Sequence, residues 1–179
     1  LTGQYGDGWY PSQITSPEEY AAKLTLIRAA AQEAGRDPQA ITPSLFQLIA
    51  VAPTEQQARR MLDSKPGRLL ALGVPSREWQ KVGAQHPFGE HFRGAVDWIP
   101  EHYDRQTLEE GMAAVPPELI GSGLLWGTPE QVADKLLAFG EAGLRHAVLF
   151  PASAIFSRRA AIYGLWAIRK IAHLMRKRR

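Results

Sequence analysis

The sequence predicts an α/β protein built on a parallel sheet, and two observations carry that reading. Short apolar runs alternate with segments of helical period, the βα grammar of parallel sheets. Each main helical segment also opens on one signal, a hydroxyl residue followed three positions later by Glu or Gln. The composition agrees. Across 179 residues, 45% are hydrophobic and 22% charged, ordinary globular usage that excludes a disordered or fibrous chain.

Taken in order, the first strand is expected around Trp9, within Gly8-Trp9-Tyr10-Pro11, and its helix begins at Ser16-Pro17-Glu18-Glu19. The second is expected around Leu48, in the run from Leu45 to Ala52, with Thr54-Glu55-Gln56-Gln57 opening the next helix. A third start signal, Thr128-Pro129-Glu130-Gln131, follows Leu124-Leu125-Trp126. All three have the capping-box form, and Pro17 and Pro129 stand at the first helical position, where a missing N–H costs nothing. The helices from Pro17 and Pro129 are near copies. Both stop at Glu-Ala-Gly, where Gly35 and Gly143 supply a left-handed residue. The first is expected to bury Tyr20, Leu24 and Ile27, and the second Val132, Leu136, Leu137 and Phe139. Ala147-Val148-Leu149-Phe150 then reads as a third strand buried on both faces. Residues 64–123, rich in Pro, Gly, His and Trp, read as an insert with short helices at Ser76–Val82 and Asp104–Ala114. A stretch that long is expected to be functional, as a lid or pocket wall. A terminal helix from Ser157 to Arg179 is expected to place Ile162, Leu165, Trp166 and Ile168 on its apolar side.

The absence of cysteine excludes disulfides, thiolate metal sites and a cysteine nucleophile, and fits a reducing compartment such as the cytoplasm. The net charge of +3 is concentrated in Arg176-Lys177-Arg178-Arg179, so the body is near neutral and a nucleic-acid footprint is not expected. No apolar run is long enough to span a membrane. Three parallel strands leave sheet edges unpaired, so further strands are expected before Leu1, and the chain is expected to be part of a longer protein.

Three motifs in order carry a resemblance. Thr2-Gly3-Gln4-Tyr5-Gly6-Asp7-Gly8-Trp9-Tyr10-Pro11 resembles a helix-to-strand junction of the bacterial luciferase-like superfamily. His86-Pro87-Phe88-Gly89, then Asp97-Trp98-Ile99-Pro100 and Val115-Pro116-Pro117, resembles the superfamily's deazaflavin-dependent branch, and phthiodiolone ketoreductase-type oxidoreductases within it. So does the closing unit from Gly127-Thr128-Pro129-Glu130-Gln131-Val132 to Ala142-Gly143-Leu144-Arg145-His146. The resemblance covers about Thr2 to Ala152. It implies the C-terminal portion of a (β/α)8 barrel over residues 1–152, with the insert at 64–123 and a basic C-terminal helix over 153–179. It further implies an oxidoreductase using coenzyme F420, or alternatively FMN, at the C-terminal ends of the strands. Its reaction would be hydride transfer between the deazaflavin and a small, apolar carbonyl-type substrate, or oxygen activation by an FMN-dependent monooxygenase. Catalytic residues are expected upstream of Leu1, leaving the chain alone inactive, and the complete protein is expected to be a homodimer. A reading from another class is a non-catalytic barrel remnant or interaction module.

Candidate site residues follow from strand ends and the insert. Ser12 and Gln13, past the first strand, are candidates to bond a cofactor, as are Gly127 and Thr128, beside Gly121-Ser122-Gly123, if that helix start binds an anion. The competing role of Thr128 is simply to cap its helix. Trp9, His86, Phe88, Trp98 and Trp126 are candidates for a substrate pocket or lid, against the alternative that buried aromatics are core. His86, Glu90, His91 and His102 lack helical metal-ligand spacing, so no metal is expected. Lys23 and Lys135 fall within helices rather than at strand ends, which disfavours an aldolase-like barrel. No nucleophile elbow or P-loop occurs. The terminal helix, apolar with a basic end, is a candidate for weak membrane-surface contact, against the alternative of an ordinary barrel helix with cations suiting its dipole.

Overall fold

Every strand pairs with one ten-residue strand. In the computed structural model, which describes residues 1–12, 14 and 16–178, the strands are β1 (Gly8–Trp9), β2 (Thr42–Val51), β3 (Leu125–Gly127) and β4 (His146–Pro151). All pairings with β2 are parallel. The helices are α1 (Thr2–Tyr5), α2 (Pro17–Glu33), α3 (Glu55–Asp63), α4 (Lys65–Ala71), α5 (Ser76–Lys81), α6 (Arg105–Ala114), α7 (Pro129–Glu141), α8 (Ser153–Phe156) and α9 (Arg158–Lys177). Three short 3₁₀ turns lie at Gly94–Val96, Pro100–His102 and Pro117–Leu119.

The hydrogen bonds fix which side of β2 each neighbour occupies. The N–H groups of Thr42, Phe46 and Ala52 donate to the carbonyls of Asp7, Pro11 and Gly127. The carbonyls of Pro43 and Ile49 accept from Arg145 and Ala152. In a parallel strand each residue directs both backbone groups to one side. Thus β1 and β3 share one edge of β2 end to end, and β4 takes the other.

The two faces of β2 are covered differently. Leu45, Ile49 and Val51 join Tyr20, Leu24, Val132, Leu136, Phe139, Ala167 and Ile171 in a core beneath α2, α7 and α9. On the opposite face, Ala50 packs into a second core made largely by the insert, with Leu72, Val74, Trp79, Met112, Leu119 and Leu124. That cover stops at the C-terminal end of β2. Farther back, Tyr10, Phe46 and Phe150 form a row across the sheet, with ring centroids 6.4 and 6.3 Å apart.

Strand and helix order agree with the sequence reading, as do both glycine stops, Gly35 at φ 71° and Gly143 at φ 99°. Five points differ. The run before Thr128 is itself a strand, β3, because its three residues complete the edge that short β1 leaves free. β4 is not buried on both faces: it lies at the sheet edge, with Val148 46% and Phe150 50% exposed. α9 buries Gly164, Ala167 and Ile171 instead of Ile162, Leu165 and Trp166, which stand outward, while Ile168 is half-buried. Gly164 sets this rotation, since a Cβ there would lie 3.1 Å from that of Ser153. Only α7 has the reciprocal capping box; Ser16 and Thr54 accept from Glu19 and Gln57 N–H without a side chain returning. Ile27 and Leu137 are half-buried.

Candidate functional site

A cavity of about 290 Å³ lies at the C-terminal end of β2, between its Leu48 and the insert. β-strand alternation directs Leu48 to the face opposite the α2–α7–α9 core. The chain leaving α4 contributes Gly73, Val74 and Pro75, Trp98 closes one side, and Leu119 and Leu124 close another. Glu19, Arg77, Glu78 and Ser122 are the polar residues of its lining. An apolar wall with a few polar groups suits a small organic molecule. Ser122 Oγ is already committed, donating to the Leu119 carbonyl at 3.0 Å.

Trp98 is held by an aromatic stack. Its ring lies 5.6 Å from both Phe88 and Tyr103, and those two stack at 4.1 Å. The turn before it is tied by Asp97, which accepts from Arg93 N–H at 2.8 Å and pairs with the Arg93 guanidinium at 2.6 Å. Those hydrogen bonds hold the Asp97 carboxyl below its usual range. Behind Phe88, buried His86 stacks on Phe92 at 4.3 Å and meets Trp79 at 4.8 Å. The Phe88 N–H donates to His86 Nδ1 at 3.1 Å, which leaves Nε2–H to donate to the Leu72 carbonyl, also at 3.1 Å. His86 is therefore a neutral strut joining the end of α4 to the Phe88 loop.

That geometry has a pH consequence. Burial pushes the His86 pKa below its ordinary 6.5. The unfolded histidine takes up its proton near 6.5 and the folded one only at lower pH, so in that window the unfolded state binds more protons. Stability from neutral His86 is thus complete above pH 6.5 and falls as pH drops below it. Melting temperatures from pH 8 to 5 should show a decline that His86→Phe flattens. At pH 8 the same substitution should cost about 1–3 kcal/mol, by leaving the Leu72 carbonyl and Phe88 N–H unpaired.

Of the sequence candidates, Trp98 lines the cavity, Phe88 supports it, and His86 lies one layer deeper. Trp9 is elsewhere, 4.7 Å from Tyr20 in the helix-side core. Trp126 is half-buried against the insert's core but does not line the cavity, with Lys135 Nζ 5.1 Å from its ring centroid and donating to its carbonyl at 2.9 Å. Burial holds Lys135 below its usual pKa. Gly127, at φ 136°, gives the capping box room: a Cβ there would lie 2.5 Å from Gln131 Oε1. Thr128 N–H donates to Gln131 Oε1 at 2.9 Å, and Gln131 N–H to Thr128 Oγ1 at 3.3 Å, so two first-turn donors are already engaged. Ser12 is exposed in the bend after β1, and Gln13 lies outside the described residues. Sequence reasoning missed Leu48, Val74, Arg77 and Glu78. Leu48 alone carried a signal, its alternate position on a strand.

A parallel βα arc with its cavity at the carboxyl ends of the strands is the arrangement of βα-barrel proteins. The chain belongs to the bacterial luciferase-like family: residues 1–146 match the family described as luciferase-like monooxygenase. It is 36% identical over 154 residues to the phthiodiolone/phenolphthiodiolone dimycocerosates ketoreductase of Mycobacterium tuberculosis (strain ATCC 25618 / H37Rv), covering 86% of this chain and 40% of that protein. The chain thus spans about 40% of the length of the curated relatives it first matches. Among solved structures, the coenzyme F420-dependent tetrahydromethanopterin reductase of Methanopyrus kandleri superposes with TM-score 0.58 at 20% identity, over 84% of this chain and 41% of that one. A long-chain alkane monooxygenase superposes with TM-score 0.53 at 16% identity, over 98% and 38%.

Proposed function

We propose that residues 1–152 are the closing arc of a (β/α)8 barrel, with the insert at 64–123 as pocket wall and 153–179 as a C-terminal basic helix. The whole is a cytoplasmic F420-dependent oxidoreductase acting on an apolar carbonyl substrate. The observation that carries this reading is the cavity between Leu48 and the Trp98 stack, at the strand ends where barrels bind ligands. The ketoreductase relative supports the substrate class, a ketone on an apolar molecule.

The residues present fit one wall of a deazaflavin: Leu48, Val74, Trp98 and Leu124 would bound its apolar face and exclude water. When bound, that group supplies the carbon that gives or accepts hydride. This chain's part is to hold the ring and substrate together in a dry site, with the aromatic stack keeping Trp98 in place. The first turn of α7, its amides engaged, is a poor cradle for the cofactor's phosphate. Phosphate binding and the catalytic groups are assigned to the rest of the barrel.

Difference spectra of the complete polypeptide titrated with F420 and with FMN test the reading. Perturbation of the F420 spectrum, followed by F420 oxidation on adding an apolar ketone, is expected. Binding of FMN alone would instead establish the flavin monooxygenase. Binding of neither would favour the non-catalytic module.

A further inference from the structure

Charge divides this chain sharply along its length. Residues 142–179 hold nine of the 21 Lys and Arg and none of the 18 Asp and Glu, so this stretch carries +9 and the rest −6. Most of the stretch is α9. Two of its cations are neutralised by α7, Lys170 at 2.5 Å from Glu130 and Arg178 against Asp134. Arg158, Arg159, Arg169, Arg176 and Lys177 are exposed, with no acidic partner among the described residues.

The same helix turns apolar side chains to solvent. Ile162 is 71% exposed, Leu165 62% and Trp166 50%. At about 3.6 residues per turn, Ile162, Trp166, Arg169 and His173 form one row opposite the buried Gly164, Ala167 and Ile171. Lys170 and Arg178 face α7 on one flank, and Gly164 rests on Pro151 and Ser153 at the other. A βα unit continuing the sheet beyond β4 would take the Gly164 and Ile168 flank and leave Ile162 and Trp166 outward. Trp166, with Lys170 Nζ 5.4 Å from its ring centroid, has the amphipathic form suited to a headgroup boundary.

We propose that α9 docks on an anionic phospholipid surface. Ile162, Leu165 and Trp166 enter the headgroup–acyl boundary, and Arg158, Arg159, Arg169 and Arg176 lie against phosphate groups. Apolar insertion and electrostatic attraction are the two signals a reversible peripheral contact needs. The uncompensated cations select a charged bilayer over an apolar protein partner. Among the described residues no helix is long and apolar enough to cross a membrane, so the contact lies in the plane of the interface. An apolar substrate would then be met at the surface that dissolves it.

Co-sedimentation of the chain with phosphatidylcholine vesicles, with and without phosphatidylglycerol, tests this. Binding is expected to the anionic vesicles and to weaken with salt. Ile162→Ser with Trp166→Ser should lower the partition coefficient about tenfold or more, and Arg158→Glu with Arg169→Glu should do the same and remove the salt dependence. All four side chains are exposed, so far-UV circular dichroism should be unchanged in the variants. Equal binding to neutral vesicles, no binding to anionic ones, or unchanged partition of either variant would overturn the proposal. So would a dimer in sedimentation velocity that Trp166→Ser splits without altering vesicle binding, which would make the row a contact between copies of the chain.

Discussion

Trp79→Ala should destabilise the chain by about 3–5 kcal/mol, the range for truncating a large buried aromatic. Trp79 is fully buried in the insert's core and meets the His86 ring edge-on. Against a domain stability of about 5–15 kcal/mol, that loss is enough to loosen the whole insert. Its indole Nε1–H has no hydrogen-bond partner among the described residues. Trp79→Phe therefore sacrifices no bond and should cost much less than alanine. Guanidinium unfolding followed by near-ultraviolet circular dichroism measures both. The pair of variants separates packing from polarity: equal losses would mean that the indole N–H matters after all. Because Arg77 and Glu78 line the cavity on the same short helix, α5, the alanine variant should also deform that wall.

The parts of this fold legible in the sequence were those written in local chemistry. Ser16, Thr54 and Thr128 marked helix starts, and Gly35 and Gly143 marked their ends, because caps and left-handed residues are satisfied within a few positions. Helical and strand periods told which segments alternate, and so gave a parallel sheet. What was not legible depends on partners distant along the chain. The run Ala147–Phe150 has the apolar content of a doubly covered strand, but its covering is set by which elements lie beside it, and its inward face is open. The rotation of α9 was misread for a related reason. Large apolar residues attract attention, yet the contact face is the one where Gly164 lets the helix approach Pro151 and Ser153.

The candidate site divides the same way. Aromatic richness marked the insert, and Trp98 does line the cavity, but nothing in the sequence separates a lining Trp98 from a core Trp79 or Trp9. Their difference lies in which face of which element they occupy. His86, conspicuous as a possible functional histidine, uses both ring nitrogens on backbone groups. Gly127 and Thr128 were ambiguous between capping and anion binding, and the reciprocal bonds with Gln131 show the capping.

On the proposed barrel, β4's outer edge pairs with a further strand of the complete polypeptide. In β2 the odd residues face β4, and in the register Ser44–His146 through Ile49–Pro151 the Ala152 N–H reaches the Ile49 carbonyl, so within β4 Val148 and Phe150 face β2 while Ala147 and Leu149 face the free edge. Hydrogen exchange followed by ¹⁵N NMR, on the 179-residue chain and on the complete polypeptide, reads this directly. In the chain alone the amides of Ala147 and Leu149 should exchange close to the open-chain rate, while those of Val148 and Phe150 are protected. In the complete polypeptide the Ala147 and Leu149 amides should slow by about 10³-fold or more, as expected for a core strand opening only with much of the domain. Fast exchange at Ala147 and Leu149 in the complete polypeptide would leave the edge open there too, and would contradict ring closure through β4.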